Sequence, residues 1–133
     1  MKIWIDGVCE PNPYGDTGIG IYFEDGTEIS RKIEPATNNV AEYTALLTAM
    51  EEAIRRNIEE VEILTDSQLL VNQVSGNWKI ESETSRKFVP RIRKLKKNFK
   101  KFKLRWIPRE ENEKADMLSK KAIGYNGNRN KRF

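Results

Sequence analysis

Apolar residues in this chain fall into short unbroken runs separated by turn-forming residues, and the runs change period along the sequence. Residues 2–6 set Ile3, Trp4 and Ile5 side by side with no polar face, which predicts a short buried strand ending at Asp6. Gly, Pro and Asn crowd residues 7–17, which predicts a loop. A second strand is expected over 18–23 and a third over 27–33, joined by a turn at Asp25-Gly26 and ended by Glu34-Pro35. Val40, Tyr43, Leu47, Met50 and Ile54 then recur at spacings of three and four, predicting a helix over 39–56 capped by Thr37 or Asn38. Residues 61–65 show no clean alternation and read as a central parallel strand. A short helix follows from Asp66-Ser67 to Val74, broken by Ser75-Gly76-Asn77. The next helix places Phe88, Ile92, Leu95 and Phe99 on one face, with Pro90 expected in its first turn because an interior proline costs about 3 kcal/mol. An edge strand over 102–107 and a last helix over 111–122, with Ala115, Leu118 and Ala122 inward, complete the pattern βββαβααβα.

Length refines this to one domain over 1–123, followed by a basic, disordered tail over 124–133 rich in Gly, Asn, Arg and Lys. No apolar run approaches the ~18 residues of a membrane span, and no leader peptide is visible, so no membrane is expected. The one cysteine, Cys9, excludes an intrachain disulfide and fits a reducing cytoplasm. The absence of histidine says more. It excludes Ser-His-Asp triads, Cys-His pairs and imidazole general bases, leaving hydrolysis to carboxylates, amines, hydroxyls or a metal. The net charge of +4 is unevenly placed, since Arg86 to Arg105 is rich in Lys and Arg and holds no acid. That run suits a polyanionic partner, and its bland alternative is a solvated helix face.

Four carboxylates stand where patterning does not explain them as casual surface charges: Asp6, Glu42, Asp66 and Asp116. Each has an ordinary alternative, such as helix-dipole stabilisation for Glu42 or an N-cap for Asp66. If the first and fourth strands are parallel neighbours, however, Asp6 and Asp66 lie at adjacent carboxyl ends, where open α/β sheets bind ligands. Like charges ~4 Å apart cost about 4 kcal/mol each at an effective dielectric near 20. Such a cluster calls for divalent cations, and all-oxygen donors favour Mg²⁺ or Mn²⁺ over zinc.

Four segments, in order, carry these acids: Ile5-Asp6-Gly7-Val8-Cys9-Glu10-Pro11-Asn12-Pro13, Thr37-Asn38-Asn39-Val40-Ala41-Glu42, Thr65-Asp66-Ser67-Gln68 and Asn112-Glu113-Lys114-Ala115-Asp116. Together they resemble ribonuclease H, type 1, in its compact archaeal-type form without the basic protrusion. The resemblance implies an α/β fold with a five-stranded mixed sheet of order 3-2-1-4-5 flanked by helices. It implies an endonuclease that cleaves the RNA strand of RNA–DNA hybrids to 5′-phosphate and 3′-hydroxyl ends. Asp6, Glu42, Asp66 and Asp116 would hold two Mg²⁺ or Mn²⁺ ions, with Asp6 between them, Glu42 and Asp66 on the leaving-oxygen side and Asp116 on the side of the attacking water. Asn12, Asn38, Asn39 and Gln68 would meet the RNA strand, where an amide suits a 2′-hydroxyl that donates and accepts. Thr37 would meet a phosphate of the DNA strand, and Trp78 and Lys79 would add grip. Turn and capping chemistry is the plain alternative for these polar residues.

The chain departs from the family in lacking the histidine that many relatives carry before the last Asp. In Ile107-Pro108-Arg109-Glu110-Glu111 that place falls to Arg109 or Glu110. A monomer is expected. Two other readings stay open: a broader nuclease that also cuts double-stranded RNA, and a hybrid-binding module of the same fold without catalysis.

Overall fold

The computed structural model describes residues 1–76 and 82–124. Its strands are β1 (Lys2–Glu10), β2 (Asp16–Phe23), β3 (Glu28–Ile33), β4 (Glu60–Thr65) and β5 (Lys101–Trp106). Its helices are α1 (Asn38–Arg55), α2 (Gln68–Ser75), α3 (Glu83–Lys96) and α4 (Glu113–Ala122), with a 3-10 turn at Arg109–Glu111. The strands form one mixed sheet of order β3-β2-β1-β4-β5, the order expected. β1, β2 and β3 pair antiparallel, while β4 runs parallel to both β1 and β5. Trp78, Lys79 and the expected tail beyond Gly124 lie outside the described residues.

Ile3, Ile5, Ile19, Ile21 and Phe23 cover one face of the sheet and meet α1, with α2 and α3 closing the core. The deepest stripe of α1 is a row of alanines, Ala41, Ala45, Ala49 and Ala53, all fully buried beside Leu46. Tyr43, Leu47 and Met50 are buried as their spacing predicts, but Val40 and Ile54 sit at the margin. A reading weighted toward large side chains passes over such a row, although small residues are what let a helix lie close to a sheet.

Two glycines set that closeness. A Cβ on Gly7 would stand 2.4 Å from the Ala41 carbonyl carbon and 2.6 Å from the Glu42 nitrogen, so α1 presses its backbone onto β1 there. On the other face, a Cβ on Gly20 would stand 2.2 Å from the Ala115 oxygen and 2.4 Å from the Ser119 nitrogen. Gly20 pairs with Asp6, so Asp6 points toward α4 while its neighbour Gly7 points toward α1.

Several boundaries differ from expectation. The loop expected over 7–17 shrinks to 11–15, because β1 and β2 continue pairing through Glu10↔Asp16 despite the glycines. Ser67, not Asp66, caps α2, its hydroxyl accepting from the Leu70 N–H, which leaves the Asp66 carboxylate available. Pro90 lies in the middle of α3, not in its first turn. It occupies an exposed position, where a carbonyl deprived of its helical donor can be hydrated. Ser82 instead starts that helix, accepting from the Ser85 N–H. Phe99 lies beyond the helix and packs near Phe102, ring centroids 5.9 Å apart. The segment before α4 breaks at Asn112, with the 3-10 turn preceding it.

Candidate active site

The site grows from a strand that outruns its neighbour. Parallel pairing of β1 with β4 covers Lys2↔Glu62, Ile3↔Ile63 and Trp4↔Leu64 and stops there, while β1 continues to Glu10. The backbone groups of Ile5, Gly7 and Cys9 that face away from β2 therefore need other partners. Side chains from α1 and the start of α4 supply them. Asn112 Nδ2 donates to the Ile5 carbonyl at 2.9 Å, the Gly7 N–H donates to Glu42 Oε1 at 3.1 Å, and the Cys9 N–H donates to Asn38 Oδ1 at 2.9 Å. The edge that β4 leaves bare is thus capped by residues that converge on one place.

The convergence brings Asp6, Glu42 and Asp66 together, with one carboxylate oxygen from each lying within 4.8 Å of the others. Asp116 joins them on the wall of an open cleft of about 440 Å³, with Asn38, Asn39, Arg109 and Lys120 also on its lining. Asp116 stays outside the tight trio, its Oδ2 accepting from Lys120 Nζ at 3.0 Å. Asp6 is 6% exposed and accepts a 2.6 Å bond from the Ser119 hydroxyl. Asn112, fully buried, also reaches Asp66 Oδ2 at 3.4 Å, so one amide ties β1 to the end of β4. The Trp106 indole N–H donates to the Asp66 carbonyl at 3.1 Å.

Electrostatics follow from this crowding. Burial pushes Asp6 up to about 7; the Ser119 bond opposes the shift, the Asp66 and Asp116 charges add to it, and Arg109 lowers it. Burial also holds Glu42 well above the usual carboxylate range, with the charges of Asp6 and Asp66 adding and the Gly7 N–H opposing. Asp66 is raised by burial, while the Asn112 N–H and Arg109 pull it back. Glu42 Oε2 is buried and has no hydrogen-bond partner. A buried carboxylate oxygen without a donor, beside two further acids, is the donor set of a hard divalent cation. The residues present fit such an ion.

The other expected contacts divide. Asn12 Oδ1 accepts from the Asn38 N–H at 3.1 Å, and Thr37 Oγ1 caps α1 by accepting from the Val40 N–H at 3.1 Å. Both therefore perform the turn and capping chemistry that was their plain alternative. Gln68, exposed at the start of α2, lies off the cleft lining. Of the pair before the last Asp, Arg109 lines the cleft, whereas Glu110 faces a separate hollow beside Trp4 and Tyr22. Asn112, Ser119 and Lys120 were not singled out from sequence. Asn112 stood within a recognised segment, and Lys120 is one helical turn after Asp116, the only signals available.

A family model described as reverse transcriptase-like matches residues 7–122. The chain is similar to a bifunctional protein of Mycobacterium tuberculosis, 34% identical over 131 residues that cover 92% of this chain and 36% of that one. It is similar to ribonuclease HI of Halobacterium salinarum, 34% identical over 132 residues that cover 92% of this chain and 64% of that one. It thus spans about a third of the mycobacterial protein and just under two thirds of the halobacterial one. The solved structure of LC11-RNase H1 in complex with RNA/DNA hybrid superposes with a TM-score of 0.83 at 35% identity, covering 92% of this chain and 96% of that one.

Proposed function

The chain belongs to the ribonuclease H family, type 1, and from that premise we propose that it is a metal-dependent endonuclease hydrolysing the RNA strand of RNA–DNA hybrids. The observation that carries this reading is the trio Asp6, Glu42 and Asp66 at the end of β4, with Glu42 Oε2 buried and unpartnered. A centre that only bound hybrid would gain nothing from clustered negative charge facing phosphates.

In this reading Asp6, Glu42, Asp66 and Asp116 would together hold two divalent ions, Mg²⁺ or Mn²⁺, Glu42 and Asp66 serving one, Asp116 the other and Asp6 both. When bound, the ions stabilise charge on the phosphoryl oxygens and help a water lose its proton. The chain's own groups do the positioning. The Gly7 N–H fixes Glu42, Ser119 fixes Asp6, and Asn112 fixes Asp66 against the end of β1. Arg109 brings a guanidinium to the cleft wall, suited to a phosphate oxygen. The water oxygen forms a bond to phosphorus and the bond to the 3′ oxygen breaks. That oxygen takes up a proton, leaving a 3′-hydroxyl and a 5′-phosphate. Asn38 and Asn39 at the cleft, with Asn12 and Gln68 nearby in the chain order of the motifs, are assigned to the RNA strand, Thr37 to the DNA strand. The domain proper is taken as residues 1–123. A cytoplasmic monomer completes the reading, consistent with a single buried cysteine; among the described residues no helix is long and apolar enough to cross a membrane.

The test is cleavage of end-labelled RNA–DNA hybrid in Mg²⁺, with double-stranded RNA as the parallel substrate at the same salt. Wild type is expected to release short RNA products from the hybrid, and Asp66→Asn to fall by about 10³-fold or more, the scale of losing a group that acts as part of a unit. Equal cutting by both proteins would sink the assignment. Comparable cutting of the RNA duplex would widen it to a broader nuclease.

A further inference from the structure

Among the described residues, Asp116 differs from the other three acids in having a cation within hydrogen-bond distance. Its Oδ2 lies 3.0 Å from the Lys120 ammonium, one turn further along α4, and the two side chains are 25% and 26% exposed. On an open helix surface such a pair would be incidental. Here Lys120 lines the same cleft as Asp6, Glu42 and Asp66, so the pair stands inside the acidic centre. The helix beneath is fixed. Ser119 Oγ donates to Asp6 and the Ala115 carbonyl is pressed onto Gly20, so α4 cannot slide to present Asp116 differently. What can move is a lysine on a flexible four-carbon stem.

We propose that Lys120 is a built-in competitor for the divalent ion on the Asp116 side of the centre. Its ammonium occupies the carboxylate that an ion there needs, so an ion gains Asp116 only as Lys120 withdraws. Lys120 is therefore a positioning residue that makes this side the weaker of the two. The inference rests on the four acids being a metal centre, the reading proposed for this chain.

The test is metal binding by the full chain without substrate, titrating Mn²⁺ and Mg²⁺ by calorimetry, with hybrid cleavage measured separately. Lys120→Met is expected to tighten the weaker binding step about two- to fivefold, the range a partly exposed ion pair allows. Lys120→Arg, which keeps the charge, is expected to stay near wild type. In an Asp116→Asn background, Lys120→Met is expected to change nothing. Equal affinity in wild type and Lys120→Met would overturn the proposal. So would a tightening that persists without the Asp116 carboxylate, because Lys120 would then act only as a distant charge. A wild type that binds ions with this competition but leaves hybrid uncut would overturn the nuclease reading alone. Cleavage with no competition would overturn this inference alone.

Discussion

Burial makes Asp6 expensive whenever it is charged. Its pKa of about 7 in the fold, against 3.8 when exposed, means the folded state binds more protons through that window. Stability of the metal-free protein therefore falls as pH rises from about 4 to 7 and stays low above it. Asp6→Asn keeps an oxygen for the Ser119 hydroxyl and removes the charge. It should raise stability at pH 8 in chelator by about 1–3 kcal/mol, since each tenfold change in proton affinity between the folded and unfolded chain is worth ~1.4 kcal/mol, and have little effect near pH 4. Urea melts at the two pH values check this, and a wild-type curve flat with pH would contradict it. Added Mg²⁺ should flatten the wild-type dependence, because an ion offsets the same repulsion. Asp6, Glu42, Asp66 and Asp116 were legible in sequence because each interrupts an apolar pattern. Asn112 was not, since its partner Ile5 is 107 positions away and nothing local marks it as fully buried.

At the scale of elements, the site depends on how closely α1 lies on β1. Gly7→Ala would drive a Cβ into the backbone of Ala41 and Glu42, which cannot yield as a side-chain tip could. Loss of about 3 kcal/mol or more in a urea melt is expected, with lower kcat in whatever folds, because Glu42 would leave the Gly7 N–H. A variant with wild-type stability would show the contact to be looser than described. Among the described residues, periodicity located each strand and α-helix, though not the 3-10 turn at Arg109–Glu111, and misjudged ends where pairing overrode local preference. Gly7 and Pro11 suggested a loop, yet β1 goes on pairing with β2 past Gly7, through Val8↔Gly18, Cys9↔Thr17 and Glu10↔Asp16. Pro90 shows the reverse, a helix-breaking residue tolerated on an exposed face while Phe88, Val89 and Ile92 hold α3 to the core.

Across the whole molecule, the basic side chains outside the cleft play different parts. Some serve the fold: Arg93 donates to the carbonyls ending α2, Lys100 pairs with Glu59 and Arg105 with Glu62. Lys94, Lys97 and Lys101 are exposed. Replacing these three with Gln should raise KM for hybrid several-fold and flatten its salt dependence while sparing kcat, since each phosphate contact contributes about 0.7–0.9 to the logarithmic salt slope. An unchanged KM with a collapsed kcat would give this basic stretch another role. The polar seal along β1 bears on how inactive forms are made. Glu42 and Asn112 cover backbone that would otherwise sit bare as a strand margin, and bare margins recruit strands from other chains. Truncating either invites self-association along with inactivity, whereas Asp116, whose carboxylate meets a lysine, can be neutralised to trap substrate in a molecule that stays dispersed.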